Sequence, residues 1–285
     1  MALVFTLLSA LLWSAFDYAR KGLASRREPA VILVWLGGVQ VLVFGGFAFD
    51  ADGTGPGAGY WLPALAVLVL NSIANLAFVT ALRLAPLSRT VPLLALTPVA
   101  TAASAYLRLD ETLTGRRAIG IAVVVTGAVL LARARATSTP PADRHRERRG
   151  IALMAVVALA WGLTATFDKE SIAHASIAFH ATFQAGALAL VFWTHLALRG
   201  RAGAVLAAAT DARRLILAGL IGPAAIGTQL AAFALTEVAV VETTKRAVGL
   251  AMAMLIGRLV FGETVTRGAI LAAALMAGGL PLVLF

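Results

Sequence analysis

The sequence predicts an all-α polytopic membrane protein, with ten transmembrane helices arranged as two inverted five-helix repeats around a central cavity. Three observations predict it: an apolar composition, ten apolar runs of spanning length, and echoes between the two halves of the chain. Of 285 residues, 60% are hydrophobic and 13% charged, and the mean hydropathy is +0.88. Soluble domains average roughly 45–50% and about 25%. A soluble fold of this size cannot hide so much apolar surface, because it must keep a large polar exterior. The composition therefore excludes a soluble enzyme, a disordered chain and a nucleic-acid-binding domain. The absence of cysteine excludes disulfides, thiolate metal sites and cysteine nucleophiles.

A membrane-crossing helix takes about 20 mostly apolar residues. Such runs lie near 2–20, 30–49, 60–82, 87–107 and 117–132, then near 150–168, 175–198, 214–236, 240–260 and 268–285. The first run has no basic segment ahead of it and no small-x-small cleavage site after it, so it reads as a retained helix and not a signal peptide. The longest connection, 133–149, contains Pro140-Pro141 and six arginines. It reads as a solvated basic linker between a first unit, 1–132, and a second, 150–285. Contact with anionic lipid headgroups would be a by-product of its charge.

The two units echo each other. Trp13 and Lys21 close the first span, and Trp161 and Lys169 close the sixth, 148 residues on. Glu111-Thr112 and Thr114 precede the fifth span as Glu263-Thr264 and Thr266 precede the tenth, and Ala81-Leu82 is matched by Ala234-Leu235. Each half is thus one five-helix unit. Five is odd, so the second unit must cross the membrane in the opposite sense to the first, the plan of an inverted-repeat transporter.

The W-x7-K helix, the LTPVATA stretch at Leu96–Ala102 and the duplicated E-T-x-T turn resemble the EamA family of the drug/metabolite transporter superfamily. The resemblance covers the whole chain in two copies. It implies a ten-helix transporter that moves small metabolites through a central cavity by alternating access. It names no substrate, because the superfamily exports amino acids, exchanges phosphorylated sugars and carries nucleotide sugars.

Orientation follows from Lys and Arg. The connections after spans one, three, five, seven and nine hold 17 of the 24, counting Arg20, Lys21 and Arg89. The other side holds Arg108, Arg116, Arg117 and Lys169, and span nine holds Lys245, Arg246 and Arg258. The count makes the odd connections cytoplasmic and puts both termini outside, whereas the resemblance implies termini inside. The expected location is a bacterial-type cytoplasmic (inner) membrane.

Polar groups in hydrocarbon are costly, so each is a functional candidate. Span nine carries Glu242, Lys245 and Arg246. Glu242 precedes the cations by three and four residues, the favourable order for helical ion pairs, but one acid cannot neutralise two cations. Neighbouring residues point about 100° apart, so at least one cation can face a cavity and bind an anion. The pair also looks like the phosphate-binding Lys-Arg of the triose-phosphate translocator branch of the superfamily. Asn71 and Asn75 share one face of span three, and Thr228 and Gln229 occupy the matching depth of span eight. Either interhelical hydrogen bonds or substrate contact accounts for them, and for Gln40 and Gln184.

Asp17 precedes Arg20 and Lys21 and reads as an interfacial ion pair or, alternatively, the protonatable group of a proton-coupled cycle. Glu237 and Glu242 are the other coupling candidates. His174, His180 and His195 have no metal-ligand spacing and read as interfacial or packing residues; no metal and no cofactor are expected. Gly37-Gly38, Gly45-Gly46 and Gly278-Gly279 read as close helix contacts, Gly222-Pro223 as a helix break, and Pro92 and Pro98 as a bend in span four.

The sequence therefore points to a secondary transporter for a small polar or anionic metabolite, an exporter or exchanger driven by a proton or counter-substrate. It carries no Walker motif. A flippase for lipid- or isoprenoid-linked phosphate could use the same Lys245 and Arg246. A polytopic membrane enzyme would need a clustered acid, His or Ser constellation, and none appears in the sequence. Membrane lipid and the small-molecule substrate are the expected partners.

Overall fold

The computed structural model describes residues 1–48, 55–85, 90–136, 144–261 and 266–285, and among them there is no strand. Arg89, Pro140-Pro141 and Glu263-Thr264 lie outside the described residues, as do the side chains of Pro92 and Arg258. Ten long helices occur among the described residues. They are α1 (Ala2–Ala24), α2 (Pro29–Gly45), α3 (Trp61–Leu84), α4 (Thr97–Leu109) and α5 (Gly115–Ala136), followed by α6 (Arg144–Ile172), α7 (Ile177–Leu198), α8 (Ala212–Leu235), α9 (Val238–Phe261) and α10 (Arg267–Leu284).

Among the described residues six helical stretches are long and apolar enough to cross a membrane: Ala2–Ala24, Ala58–Leu84, Arg144–Ile172, Ile177–Leu198, Gly203–Leu235 and Arg267–Leu284. Pro29–Gly45 and Leu93–Leu109 are apolar but shorter. Helices α5 and α9 have spanning length but carry several charges, Arg116, Arg117 and Arg133 in one and Glu242, Lys245 and Arg246 in the other.

Local chemistry sets the boundaries. Extended backbone at Glu28 leads into Pro29, whose missing N–H is no loss at a helix start. Ser176 and Thr266 cap α7 and α10 by accepting hydrogen bonds from the Phe179 and Ala269 amides at 3.1 and 3.2 Å. The fourth span changes geometry: a 3₁₀ turn, Val91–Leu96, precedes α4, and Pro98 occupies the first α-helical turn. Asp110 ends α4 in the left-handed region at φ 52°. Pro223 lies inside a continuous α8, so the expected break at Gly222-Pro223 is corrected; Gly222 serves contact instead, since a Cβ there would meet Gln40 Nε2 at 2.7 Å. The basic stretch is helical at both ends, to Ala136 and from Arg144.

Helices of the two halves interlock. α1 packs on α8, α3 on α6, α2 on α7 and α5 on α10. At the α5–α10 contact, added Cβ atoms at Gly120, Gly127 and Gly279 would lie 2.7–2.9 Å from side chains of the facing helix. Gly37 is equally close to Ala185 and Ala189 of α7, but Gly38, Gly45, Gly46 and Gly278 have open space and no close helix contact. The outside is apolar: Leu62, Leu65, Val69 and Ile73 form an exposed stripe on α3, while Val67, Ala74 and Phe78 are buried on its other side. Such an inside-out distribution suits lipid as solvent.

Ion pairs fasten both ends of the bundle. At the arginine-rich end Arg27 meets Asp211 at 2.6 Å and Arg201 meets Glu28 at 2.9 Å, joining the α1–α2 connection to the α7–α8 segment. At the opposite end the α4–α5 turn reaches the second half three times. Arg108 binds Glu170 at 2.9 Å, Glu111 binds Lys169 at 2.6 Å, and Arg117 binds Glu237.

Candidate functional site

A cavity of about 120 Å³ opens between the halves, lined by residues from α1, α2, α3, α6, α7, α8 and α9. It brings together Asp17, Asn71, Asn75, Gln229, Glu242, Lys245 and Arg246 from four helices, α1, α3, α8 and α9. Gln40 and Gln184 line it as well. Thr228 and Glu237 do not. The Thr228 hydroxyl donates to the Ala224 carbonyl, 2.7 Å away on its own helix, so its polarity is satisfied locally. Glu237 belongs to the end of the bundle, where it holds Arg117 and accepts from the Thr236 hydroxyl. Thr228 is thereby corrected as a cavity group.

The α9 cluster is buried: Glu242 is 1% exposed, Lys245 7% and Arg246 9%. The spacing of three and four residues lets Glu242 hold both cations at once, Lys245 on one carboxylate oxygen and Arg246 on the other at 3.2 Å. Lys245 also donates to the Gln229 side-chain oxygen. One carboxylate shared by two cations leaves this cluster positive.

Arg20 was expected in the connection after the first span, among the charges that set orientation. It is instead 2% exposed and lines the cavity, so it marks no membrane face. Asp17 binds it, and its Nη1 donates to Asn75 Oδ1 at 3.2 Å. Four rings surround the guanidinium: Phe78 and Phe16 at 4.4 and 4.6 Å, and Trp13 and Trp161 at 5.6 and 5.7 Å. The same two tryptophans face the α9 cations, Trp13 beside Lys245 at 5.2 Å and Trp161 beside Arg246 at 5.6 Å. The aromatic faces offset part of the cost of burying these charges. Thus the tryptophans that echo between the halves form the walls of one cation-rich chamber.

Lys21 lies at the arginine-rich end, donating to the Leu82 carbonyl at 3.1 Å. Its echo Lys169 does the same at the opposite end, donating to the Thr236 carbonyl at 2.9 Å as well as to Glu111.

Sequence reasoning missed Asp168 and corrects on His180, which is no mere packing residue. Both are buried and both line the cavity. Asp168 lies four residues before the end of α6 and His180 three after the start of α7, so the tight α6–α7 hairpin stacks them. His180 Nε2 is 3.0 Å from Asp168 Oδ1, and its Nδ1 is 3.2 Å from the Tyr60 hydroxyl. Rings of Trp61, Phe179 and Phe183 lie edge-on around Tyr60 and Trp61. An acid and a histidine at equal depth on either side of a short turn would have been the signal.

Several buried polar atoms of the lining have no hydrogen-bond partner among the described residues: Trp13 Nε1, Arg20 Nε, Arg246 Nε and Gln184 Oε1. Buried donors left unpaired are costly, and a ligand that accepts from them recovers the loss. Among the described residues no group of His, Asp and Glu has the arrangement of a metal site.

These features define a helical integral membrane protein with a polar chamber in its middle. Residues 1–133 match the model of the EamA-like transporter family. Over that stretch, just under half of its length, the chain is similar to the EamA-like transporters. A solved structure described only as the crystal structure of a protein aligns over 99% of this chain and 96% of its own, with a TM-score of 0.75 and 17% identity. That likeness shows a shared fold. A search of curated proteins gave no match.

Proposed function

We propose that the protein is a secondary-active transporter that carries a small polar or anionic metabolite through the central chamber by alternating access, as an exporter or exchanger in a bacterial-type inner membrane. All ten long helices cross the membrane in this reading, and 1–132 and 150–285 are inverted repeats. The helix pairing supports it. Exchanging each helix with the one five later turns the α1–α8 contact into α6–α3 and leaves α2–α7 and α5–α10 unchanged. That is the pattern expected of two units related by a twofold axis.

The single observation that carries the functional reading is the chamber's set of buried cations, Arg20, Lys245 and Arg246 between two tryptophans, with the Nε donors of the two arginines unpaired. Lys245 and Arg246 bind the anionic group of the cargo, Arg as a fork and Lys as a point charge. Gln229, Asn71 and Asn75 orient its polar remainder. Anion binding draws the cations from Glu242, which ties occupancy to a rearrangement of α9.

The test is a melting experiment on purified protein across phosphorylated and amino-acid ligands. A ligand at about 100 times its Kd adds roughly 2.7 kcal/mol to the unfolding free energy. The wild-type protein should gain melting temperature with at least one anionic ligand, and Lys245→Ala and Arg246→Ala should lose that gain. An equal gain in both variants would refute the anion site.

A further inference from the structure

The acids of the chamber differ in what holds them. Asp17 is held by Arg20, and Glu242 by Lys245 and Arg246. At the end of the bundle Glu237 is held by Arg117. Each of those acids has an arginine among its partners, and arginine stays charged throughout the physiological range. Asp168 is different, because its ion-pair partner among the described residues is His180, which carries charge only when protonated. Histidine changes charge in the physiological range, whereas arginine does not.

We propose that Asp168 and His180 form the protein's proton-binding site, reached from the chamber that both residues line. The geometry supplies a hydrogen-bonded row of three buried side chains. Tyr60 is fully buried, with its hydroxyl on His180 Nδ1, and His180 Nε2 reaches Asp168 at the chamber wall.

The proton balance is simple. With a neutral ring, Nδ1–H donates to the Tyr60 oxygen and Nε2 carries no hydrogen. On loading, a proton from water in the chamber passes by way of the Asp168 carboxylate to Nε2, which then donates to Asp168 Oδ1. The ring is then an imidazolium donating from both nitrogens. On unloading, Nε2 returns that proton through Asp168 to water in the chamber, and the ring regains the tautomer it began with. One proton enters and one leaves.

The surrounding charges make this proton matter to the cargo. Asp17 and Arg20 face the pair from α1, and Glu242, Lys245 and Arg246 from α9. Tyr60 comes from the turn before α3, Gln229 from α8 and Gln40 from α2, while α4 brings Ser104, bonded to Thr166 two residues before Asp168. Arg108 of α4 and Lys169 lie toward the end of the bundle, paired with Glu170 and Glu111. With the ring neutral, the three acids balance the three cations of the chamber. Loading adds one positive charge, so the proton and an anionic cargo favour each other's binding. This coupling rests on the anion reading of the chamber; the proton site itself does not.

The experiment counts protons and needs no cargo. Purified protein in detergent is shifted from about pH 8 to about pH 5, the range in which histidine changes charge, and proton uptake is followed with an indicator dye. His180→Gln should take up about one proton fewer than wild type. Tyr60→Phe leaves Nδ1–H without its acceptor and should move the uptake to lower pH, which loss of ring packing alone would not produce. Wild-type uptake in His180→Gln, or an unshifted Tyr60→Phe, would overturn the proposal. Should His180→Gln fail to fold, Asp168→Asn replaces it, and an unchanged count there overturns the proposal equally. Arg246→Ala should leave the count within about half a proton. A normal proton count with unaffected anion binding in Arg246→Ala would sink the anion site and spare the proton site.

Discussion

Two contacts between the halves of the molecule are built on opposite principles. The α5–α10 seam is apolar and close, with Gly120, Gly127 and Gly279 letting one helix rest on the other. The chamber between α1, α6 and α9 holds buried charges, shared carboxylates and donors with no partner. The seam has no room to change, because close-packed small residues have one good arrangement. The chamber is under-satisfied and can be completed in more than one way. A transporter needs both, a fixed join between moving units and a site whose bonds are exchanged.

The comparison is broken most severely at Glu242. Glu242→Ala leaves Lys245 and Arg246 buried without their acid, and removing one member of a buried ion cluster costs about 3–5 kcal/mol. The expected result is a large fall in melting temperature in detergent, with partial recovery in Glu242→Gln. Next comes the seam. A Cβ at Gly127 would lie 2.7 Å from Met276 Cγ and 2.9 Å from the Ala272 carbonyl. Gly127→Ala should therefore destabilise by about 1–3 kcal/mol through overpacking. Gly278→Ala, one residue from the seam with open space around it, should change melting little.

The smallest effect belongs to the ion pairs at the end of the bundle. Glu237 is partly exposed, and Glu237→Gln should cost about 1 kcal/mol or less. Burial pushes its carboxyl up, but hydrogen bonds from its own backbone amide and the Thr236 hydroxyl, with the nearby Arg117 charge, leave it below the ordinary glutamate range. A depressed value means that the stabilisation is present above the ordinary carboxylate range and is lost as pH falls through the lowered value. Melting temperature of the wild type should thus fall more steeply in acid than that of Glu237→Gln.

The apolar runs were legible because hydrocarbon imposes a length and a composition on every crossing segment. The Trp13 and Trp161 echo pointed to two related units, and the Glu242, Lys245 and Arg246 spacing pointed to the chamber. Other features depend on contacts between helices. Arg20 belongs by sequence to a basic connection, and only packing against Phe16, Phe78, Trp13 and Trp161 makes it an interior charge. Thr228 has the depth of a cavity residue but the wrong rotation, so its hydroxyl turns to its own backbone. Gly222-Pro223 has the sequence of a break, yet α8 continues through it. Asp168 and His180 meet because a hairpin folds them together, which no motif within one helix announces.

The central claim is that cargo passes through the chamber and is held there by the α9 cations. Its most direct test is counterflow in liposomes, using the ligand that raises the melting temperature most. Wild-type protein should exchange the labelled compound across the bilayer. Lys245→Ala and Arg246→Ala, incorporated in equal amount, should each lose about tenfold or more, the loss of a charge-assisted hydrogen bond worth roughly 1.5–3 kcal/mol. Undiminished exchange in both variants, or chemical conversion of the compound without movement, would contradict the account.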